Sequence, residues 1–231
     1  MTSFNNRCSV PGRLIKLEYK RILAVGDIHG NYGKLSSLYA KIEFNPRDDL
    51  LVFLGDYVAG GDSICDVMDF LIHLKKKQNV IFIRGNTDEY LMQFHKRNPE
   101  EDIFDITSDK YKDPIKTQDA YWDFLNASLY SYIIQQNNQE YFFCHAGIDF
   151  DLGLEEQDKQ DLLEYNRDIL SFSYKGEIVI VVGHTQVCKL EPNRYTPIVR
   201  NNIIMMDTSA KRPEGKLSCM DVLSGKLWQS D

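Results

Sequence analysis

Three short apolar runs, each stopped by a glycine and a polar side chain, constrain this chain more than any other feature. Arg21–Val25 (RILAV) runs into Gly26-Asp27-Ile28-His29-Gly30, Leu50–Leu54 (LLVFL) into Gly55-Asp56, and Val80–Ile83 (VIFI) into Arg84-Gly85-Asn86. Runs of this length, rich in branched residues and bounded by turn signals, read as buried strands. Between the first two, Leu35, Leu38, Tyr39 and Ile42 recur at helical spacing. Between the second and third, Val67, Met68, Phe70, Leu71 and Leu74 do the same ahead of Lys75-Lys76-Lys77, where positive charge suits a helix C-terminus. A further helix is expected from Asp88 to about Lys96. Three strand–loop–helix units in succession specify a sheet with parallel character, of α/β or α+β class. In open sheets of this kind ligands bind at the carboxyl ends of the strands. That is where the polar residues gather.

The rest of the chain is plainer. Residues 97–128 are polar, charged and aromatic, and are expected to form a helical insertion or cap, the natural seat of substrate choice. Tyr130–Ile134 and Glu140–Cys144 flank a four-residue hairpin turn, and the second arm ends at His145-Ala146-Gly147. Leu152–Leu170 is expected to hold another helix. Ile178–Val182 reads as a strand ending at Gly183-His184-Thr185, followed by short strands over Ile203–Met206, Leu217–Asp221 and Lys226–Gln229. With no repeat, low-complexity tract or linker, residues 1–231 read as a single domain.

Composition excludes several functions. Acidic residues outnumber basic ones by 34 to 27, so the net charge of −7 argues against a partner bound through nucleic-acid phosphates. Five cysteines with no CxxC pair fit reduced thiols in a cytoplasmic protein. No signal-like apolar region opens the chain, and no apolar run is long enough to span a membrane.

The residues at the strand ends are Asp27, His29, Asp56, Asn86, His145 and His184. Two carboxylates, three imidazoles and an amide oxygen suit Mn, Fe or Zn. Six ligands exceed one tetrahedral zinc but fit two metals sharing a carboxylate, an arrangement that attacks phosphate esters with an activated water. Glycines 26, 30, 55, 85, 147 and 183 flank these residues and let the backbone turn sharply beside them. Three of only five histidines fall directly after expected strands; His73 and His95 do not and read as structural. The aromatic run Tyr121-Trp122-Phe124 reads as core packing rather than a base-stacking platform.

In order, GDIHG (26–30), GDYVAGGD (55–62), RGNTD (84–88), HAGI (145–148) and GHT (183–185) resemble the motifs of the phosphoprotein phosphatase branch of the calcineurin-like metallophosphoesterases. Residues 151–170 and 206–227 are similar to later segments of bacterial and phage-type members, which include protein serine/threonine phosphatases and symmetrical diadenosine tetraphosphatases. The resemblance covers the chain from about residue 20. It implies two packed mixed β-sheets flanked by helices. It implies that Asp27, His29 and Asp56 hold one metal and that Asp56, Asn86, His145 and His184 hold a second, with Asp27, Asp56 and Asn86 central to catalysis. Asn86 and Arg167 would bind phosphate oxygens, although Arg167 reads equally well as a surface ion pair. Arg84 matches the family motif, yet reads as a structural ion pair.

The sequence also departs from that family. The second motif is usually GDYVDRG, so Ala59 and Gly60 replace an acid and an arginine; the third usually carries histidine where Thr87 stands. In the family that histidine pairs with that acid to protonate the leaving group, and the arginine binds phosphate. A positioned general acid contributes about 10²–10⁴-fold. Its loss matters most for alkoxide leaving groups, less for a phenolate of pKa about 10, and least for a nucleotide phosphate. The expected function is therefore a serine/threonine-phosphatase-like metallophosphoesterase acting on a phosphoprotein, aryl phosphate or nucleotide. The alternatives are a diadenosine tetraphosphate or nucleotide phosphodiesterase-type hydrolase, and a non-catalytic protein that keeps metals to bind a phosphorylated ligand.

Overall fold

The computed structural model describes residues 18–61, 63–101, 104, 114–165, 169–171 and 177–231. Strands β1 (Arg21–Val25), β2 (Asp49–Phe53) and β3 (Val80–Phe82) alternate with helices α1 (Tyr32–Ile42), α2 (Ile64–Lys75) and α3 (Asn86–Arg97). There follow α4 (Pro114–Asn126), β4 (Ser131–Gln136), β5 (Gln139–Cys144), α5 (Lys159–Leu163), β6 (Ile178–Val182), α6 (Val187–Leu190), β7 (Ile198–Arg200), β8 (Ile203–Met205), β9 (Ser218–Asp221) and β10 (Leu227–Gln229).

The strands form two five-stranded sheets, ordered β10-β9-β1-β2-β3 and β4-β5-β6-β8-β7. Both are mixed. In the first, β1 pairs parallel with β2 and antiparallel with β9. In the second, β6 lies parallel to β5 and β8 while β4 and β7 run antiparallel on the edges. This is the pair of packed mixed sheets that the motifs imply.

Period-two alternation explains why the central strands are apolar throughout. Ile22, Ala24, Leu50 and Val52 turn one way and meet Tyr132, Phe143, Val181 and Ile204 from the other sheet. Leu23, Val25, Leu51 and Phe53 turn the other way, against Leu35, Leu38, Val67, Met68 and Leu71 of α1 and α2. A strand covered on both faces has no solvent side on which to place polar residues. Tyr121, Phe124 and Leu125 of α4 are buried in the same outer layer, so the aromatic run is core, as its sequence suggested.

The helix expected within 152–170 is α5, five residues long, and the other described elements of that span are 3₁₀ turns at Leu154–Glu156 and Ile169–Ser171. One segment differs from expectation. Strand β7 has no counterpart in the sequence reading. It turns into β8 on Asn201-Asn202, at φ 54° and 59°, as β4 turns into β5 on Asn137-Asn138, at φ 52° and 64°. Left-handed Asn pairs are the signature of a tight hairpin turn. Cys144, Cys188 and Cys219 are free thiols. Among the described residues no helix is long and apolar enough to cross a membrane.

Candidate metal centre

The six residues read from the strand ends come together in the structure. Asp27 follows β1, Asp56 follows β2, Asn86 opens α3 after β3, His145 follows β5 and His184 follows β6. The first sheet thus supplies Asp27, His29, Asp56 and Asn86, and the second supplies His145 and His184. Asp27, His29, Asp56 and His145 are buried. The backbone of His29, Asp56 and His184 is left-handed, at φ 50°, 51° and 61°. Each such residue costs about 1–2 kcal/mol when it is not glycine, and strain of this kind collects at functional sites.

The two halves interlock through short contacts. His29 Nε2 lies 3.9 Å from Asp27 Oδ2 and 3.6 Å from Asp56 Oδ2, and His145 Nε2 lies 3.4 Å from Asp56 Oδ1. Asn86 Oδ1 lies 2.9 Å from His145 Nε2 and 3.2 Å from His184 Nδ1. The His184 backbone N–H donates to both oxygens of Asp27, at 3.1 Å each. Gly183 makes that approach possible, since a Cβ there would sit 2.1 Å from Asp27 Oδ1.

The donor set fits cations. Nδ1 of His29 lies 3.0 Å from Ala59 O, and Nδ1 of His145 lies 2.8 Å from Leu54 O. A carbonyl only accepts, so each Nδ1 carries the proton and each Nε2 turns a lone pair inward. Those lone pairs face carboxylate and amide oxygens, which are acceptors too. A divalent ion resolves such a convergence, and the outward N–H···O=C bond is the usual orienting contact of a metal-binding histidine. Ligand atoms within 4.8 Å of one another form two groups: Asp27, Asp56 and His145, and Asp27, His29 and Asp207.

Electrostatics follow from burial and crowding. Burial, then the charges of Asp207 and Asp56, pushes Asp27 well above the usual carboxylate range. Burial also acts on Asp56, but His145, His29 and two bonds from Thr87 outweigh it and hold that carboxyl low. Burial lowers His29, and burial together with neighbouring His145 takes His184 down to about 4. His29 and His184 are therefore neutral near pH 7, as metal ligation requires.

Where the family places its acid dyad, this chain has other contacts. The Thr87 hydroxyl donates to Asp56 Oδ1 at 2.8 Å. Ala59 adopts φ 69° and offers its carbonyl to His29. Asp88 is buried and accepts the backbone N–H groups of Gly85 at 2.9 Å, Tyr57 at 3.0 Å and Val58 at 3.3 Å, so it staples two strand-end loops. Arg84 is structural, as its sequence suggested. It pairs with Glu89 at 2.8 Å and also donates to Ser128 Oγ and to the carbonyls of Leu125 and Asn126. His95 stacks on Trp122 with ring centroids 3.9 Å apart. Arg167 lies outside the described residues.

Two residues near the site escape sequence reasoning. Asp207 follows β8 as Asp27 follows β1, and that strand-then-aspartate pattern is its only signal. Lys211 has none. Its stem lies over Gly60, with Cε 3.3 Å from where a Cβ at 60 would be, and it lines one cleft with His29 and Gly61. A second cleft, of about 440 Å³, is lined by Asn86, Glu89, exposed Tyr90, Gln93 and Lys159.

The calcineurin-like phosphoesterase family model matches residues 20–202. A symmetrical bis(5'-nucleosyl)-tetraphosphatase of Baumannia cicadellinicola is 30% identical over 125 residues, which is 54% of this chain and 41% of that protein. The chain spans less than half the length of the curated relatives it matches. A solved structure described as a candidate diadenosine tetraphosphatase superposes with a TM-score of 0.72 at 18% identity, covering 97% of each chain. A protein serine/threonine phosphatase of Saccharomyces cerevisiae superposes at 0.59 and 14% identity, covering 91% of this chain and 79% of the other. At these identities the superpositions establish a shared fold.

Proposed function

The chain belongs to the calcineurin-like phosphoesterase family, and we propose that it acts there as a divalent-metal-dependent hydrolase of phosphate esters or anhydrides. The observation that carries this reading is the convergence of Asp27, His29, Asp56, Asn86, His145 and His184, with Asp56 in contact with histidines from both sheets. Asp27, His29 and Asp56 would hold one ion, and Asp56, Asn86, His145 and His184 the other, with Mn²⁺ the ion we favour for this N/O set. When bound, two such ions lower the pKa of a water toward neutrality and draw charge from phosphorus.

The chain's own residues set what else the site does. Thr87 fixes Asp56 Oδ1, an oxygen that would hold a metal ion. Helix α3 begins at Asn86, so its positive end lies at the site and favours an anion. Lys211 brings a cation to the cleft of His29, beside Gly60. Asn86 and Arg167 are proposed to bind phosphate oxygens. The Thr87 hydroxyl is given to Asp56, and Asp88, though raised to about 7 by burial, is wholly buried with both oxygens turned to backbone N–H groups, so neither is placed to protonate a leaving group. Substrates whose leaving group departs unaided are thus favoured: aryl monoesters, diesters and phosphoanhydrides over phosphoserine.

Within that class a nucleotide substrate has a specific observation behind it. Tyr90 is 69% exposed and lines the cleft that shares Asn86 with the centre. A cleft of about 440 Å³ is of ligand-binding size, and an exposed ring there is a platform for a base. The test is Mn²⁺-dependent hydrolysis of p-nitrophenyl phosphate, bis-p-nitrophenyl phosphate, a phosphoserine peptide and diadenosine tetraphosphate, with Asp56→Asn as control. Turnover of the activated esters or the tetraphosphate above the peptide, abolished by Asp56→Asn, supports the reading. Metal binding with no turnover of any of the four would replace it with a non-catalytic phosphate-ligand role.

A further inference from the structure

Asp207 occupies the same kind of position as the proposed ligands, two residues beyond a central strand. Its placement beside Asp27 depends on Gly26, where an added Cβ would meet the Met206 carbonyl at 2.2 Å. The chain after β8 can therefore press against the chain after β1. Its backbone is fixed further by Val187, whose N–H donates to Asp207 O at 3.0 Å.

The Asp207 side chain is 1% exposed by residue and only half satisfied. Oδ1 accepts the Ser209 N–H at 2.8 Å, while Oδ2 is buried with no hydrogen-bond partner among the described residues. Buried polar atoms are nearly always paired, and an exception calls for an explanation. One ligand atom each from Asp27, His29 and Asp207 lie within 4.8 Å of one another. Among the described residues no cation forms an ion pair with Asp207; Lys189 and Lys211 act on it only at longer range. The His29 proton sits on Nδ1, facing Ala59 O, so the inward Nε2 is a lone pair. Two buried carboxylates and an imidazole lone pair share one space, and a metal ion is the counter-charge that suits all three.

We propose that Asp207 is a further ligand of the first metal position, joining Asp27, His29 and Asp56 there. This inference rests on the dinuclear reading of the site. Its consequence is a first position with three carboxylates and one imidazole, against one carboxylate, one amide and two imidazoles in the second. The first position is then the harder and more anionic of the two, suited to Mn²⁺ over softer ions.

Titration of the metal-free protein with Mn²⁺, reading free ion by electron paramagnetic resonance, tests it without any substrate. The wild type is expected to take two ions. Asp207→Asn keeps the shape and the Ser209 contact, and is expected to weaken one ion by at least about tenfold while leaving the other unchanged. Its melting temperature without metal should not fall below that of the wild type, because a buried carboxylate has been removed. Two ions bound by Asp207→Asn with wild-type affinities would overturn the inference and leave the dinuclear reading standing. Fewer than two ions on the wild type would overturn both. Asp207→Ser carries the same titration if the amide variant does not fold.

Discussion

Thr87 turns both its backbone N–H, at 3.0 Å, and its hydroxyl, at 2.8 Å, to one oxygen of Asp56, with the Val58 carbonyl a longer second acceptor for the hydroxyl at 3.3 Å. That oxygen cannot rotate away without breaking both bonds. Thr87→Val removes the hydroxyl at nearly constant volume. Mn²⁺ affinity is expected to fall about 10–100-fold, the usual effect of losing a group that orients a ligand, with little change in the melting temperature of the metal-free protein. A binding isotherm identical to wild type would show that the hydroxyl does not govern the carboxylate.

Restoring the family's dyad tests whether leaving-group protonation is what this site lacks. Ala59 already sits at φ 69°, a conformation aspartate accepts more readily than alanine. The double variant Ala59→Asp, Thr87→His is expected to raise hydrolysis of an alkyl monoester by at least about tenfold, the low side of what a general acid supplies. With Mn²⁺ raised to saturate a centre that has lost the Thr87 hydroxyl, hydrolysis of p-nitrophenyl phosphate should change little. Equal gains on both substrates would mean the variant altered something other than leaving-group protonation.

Lys211→Ala removes the cation that lies over Gly60. KM for a phosphate monoester is expected to rise about fivefold, roughly the 1 kcal/mol upper end for an exposed ion pair, with kcat changed less. Raising the salt concentration should shrink the difference between variant and wild type. A kcat loss with KM unmoved would place Lys211 outside ground-state phosphate binding.

Glu89 carries a pH-dependent share of stability. Burial alone would raise its carboxyl, but bonds from Lys159 at 2.6 Å, Arg84 at 2.8 Å and Gln93 at 3.1 Å hold it down to about 2. A carboxyl lowered on folding stabilises the fold above its ordinary value near 4.5 and loses that contribution as pH falls toward about 2. Glu89→Gln is expected to cost about 1.5–3 kcal/mol at pH 7, the worth of hydrogen bonds to a charged group, and progressively less below pH 4.5. Urea denaturation of both proteins at pH 7 and pH 3 measures it. A difference that does not shrink with acid would assign the loss to packing.

The parts of this molecule that the sequence discloses are those with a local cause. β1, β2 and β6 are legible because both faces are buried, which forces continuous apolar runs, and the ligands are legible because each follows such a run. β7 is not, because only Ile198 is buried while Val199 is 61% exposed. Its pairing is fixed by the Asn201-Asn202 turn. The helix expected in 152–170 is there, but only as the five-residue α5 that starts at the Asp158 cap, which accepts the Gln160 N–H, after a 3₁₀ turn that follows Gly153. The loss of the acid dyad can be read from Ala59 and Thr87, yet what Thr87 does instead depends on where Asp56 lies. Asp207 is the extreme case. Its neighbour Asp27 is 180 positions away in the chain, and only the approach of β8 to β1 brings them together.

The place of β1 in its sheet has a consequence for the birth of the protein. One side of β1 pairs with β2, made soon after it, while the other pairs with β9 and donates the Ile22 N–H to the Asp221 carboxylate. Some two hundred residues separate those partners. At about 5–20 residues per second of synthesis, the nascent chain holds that strand edge unpaired for roughly 10–40 s. An open edge is a template for the wrong neighbour, so crowded ribosomes on one message are where this fold is most exposed to aggregation.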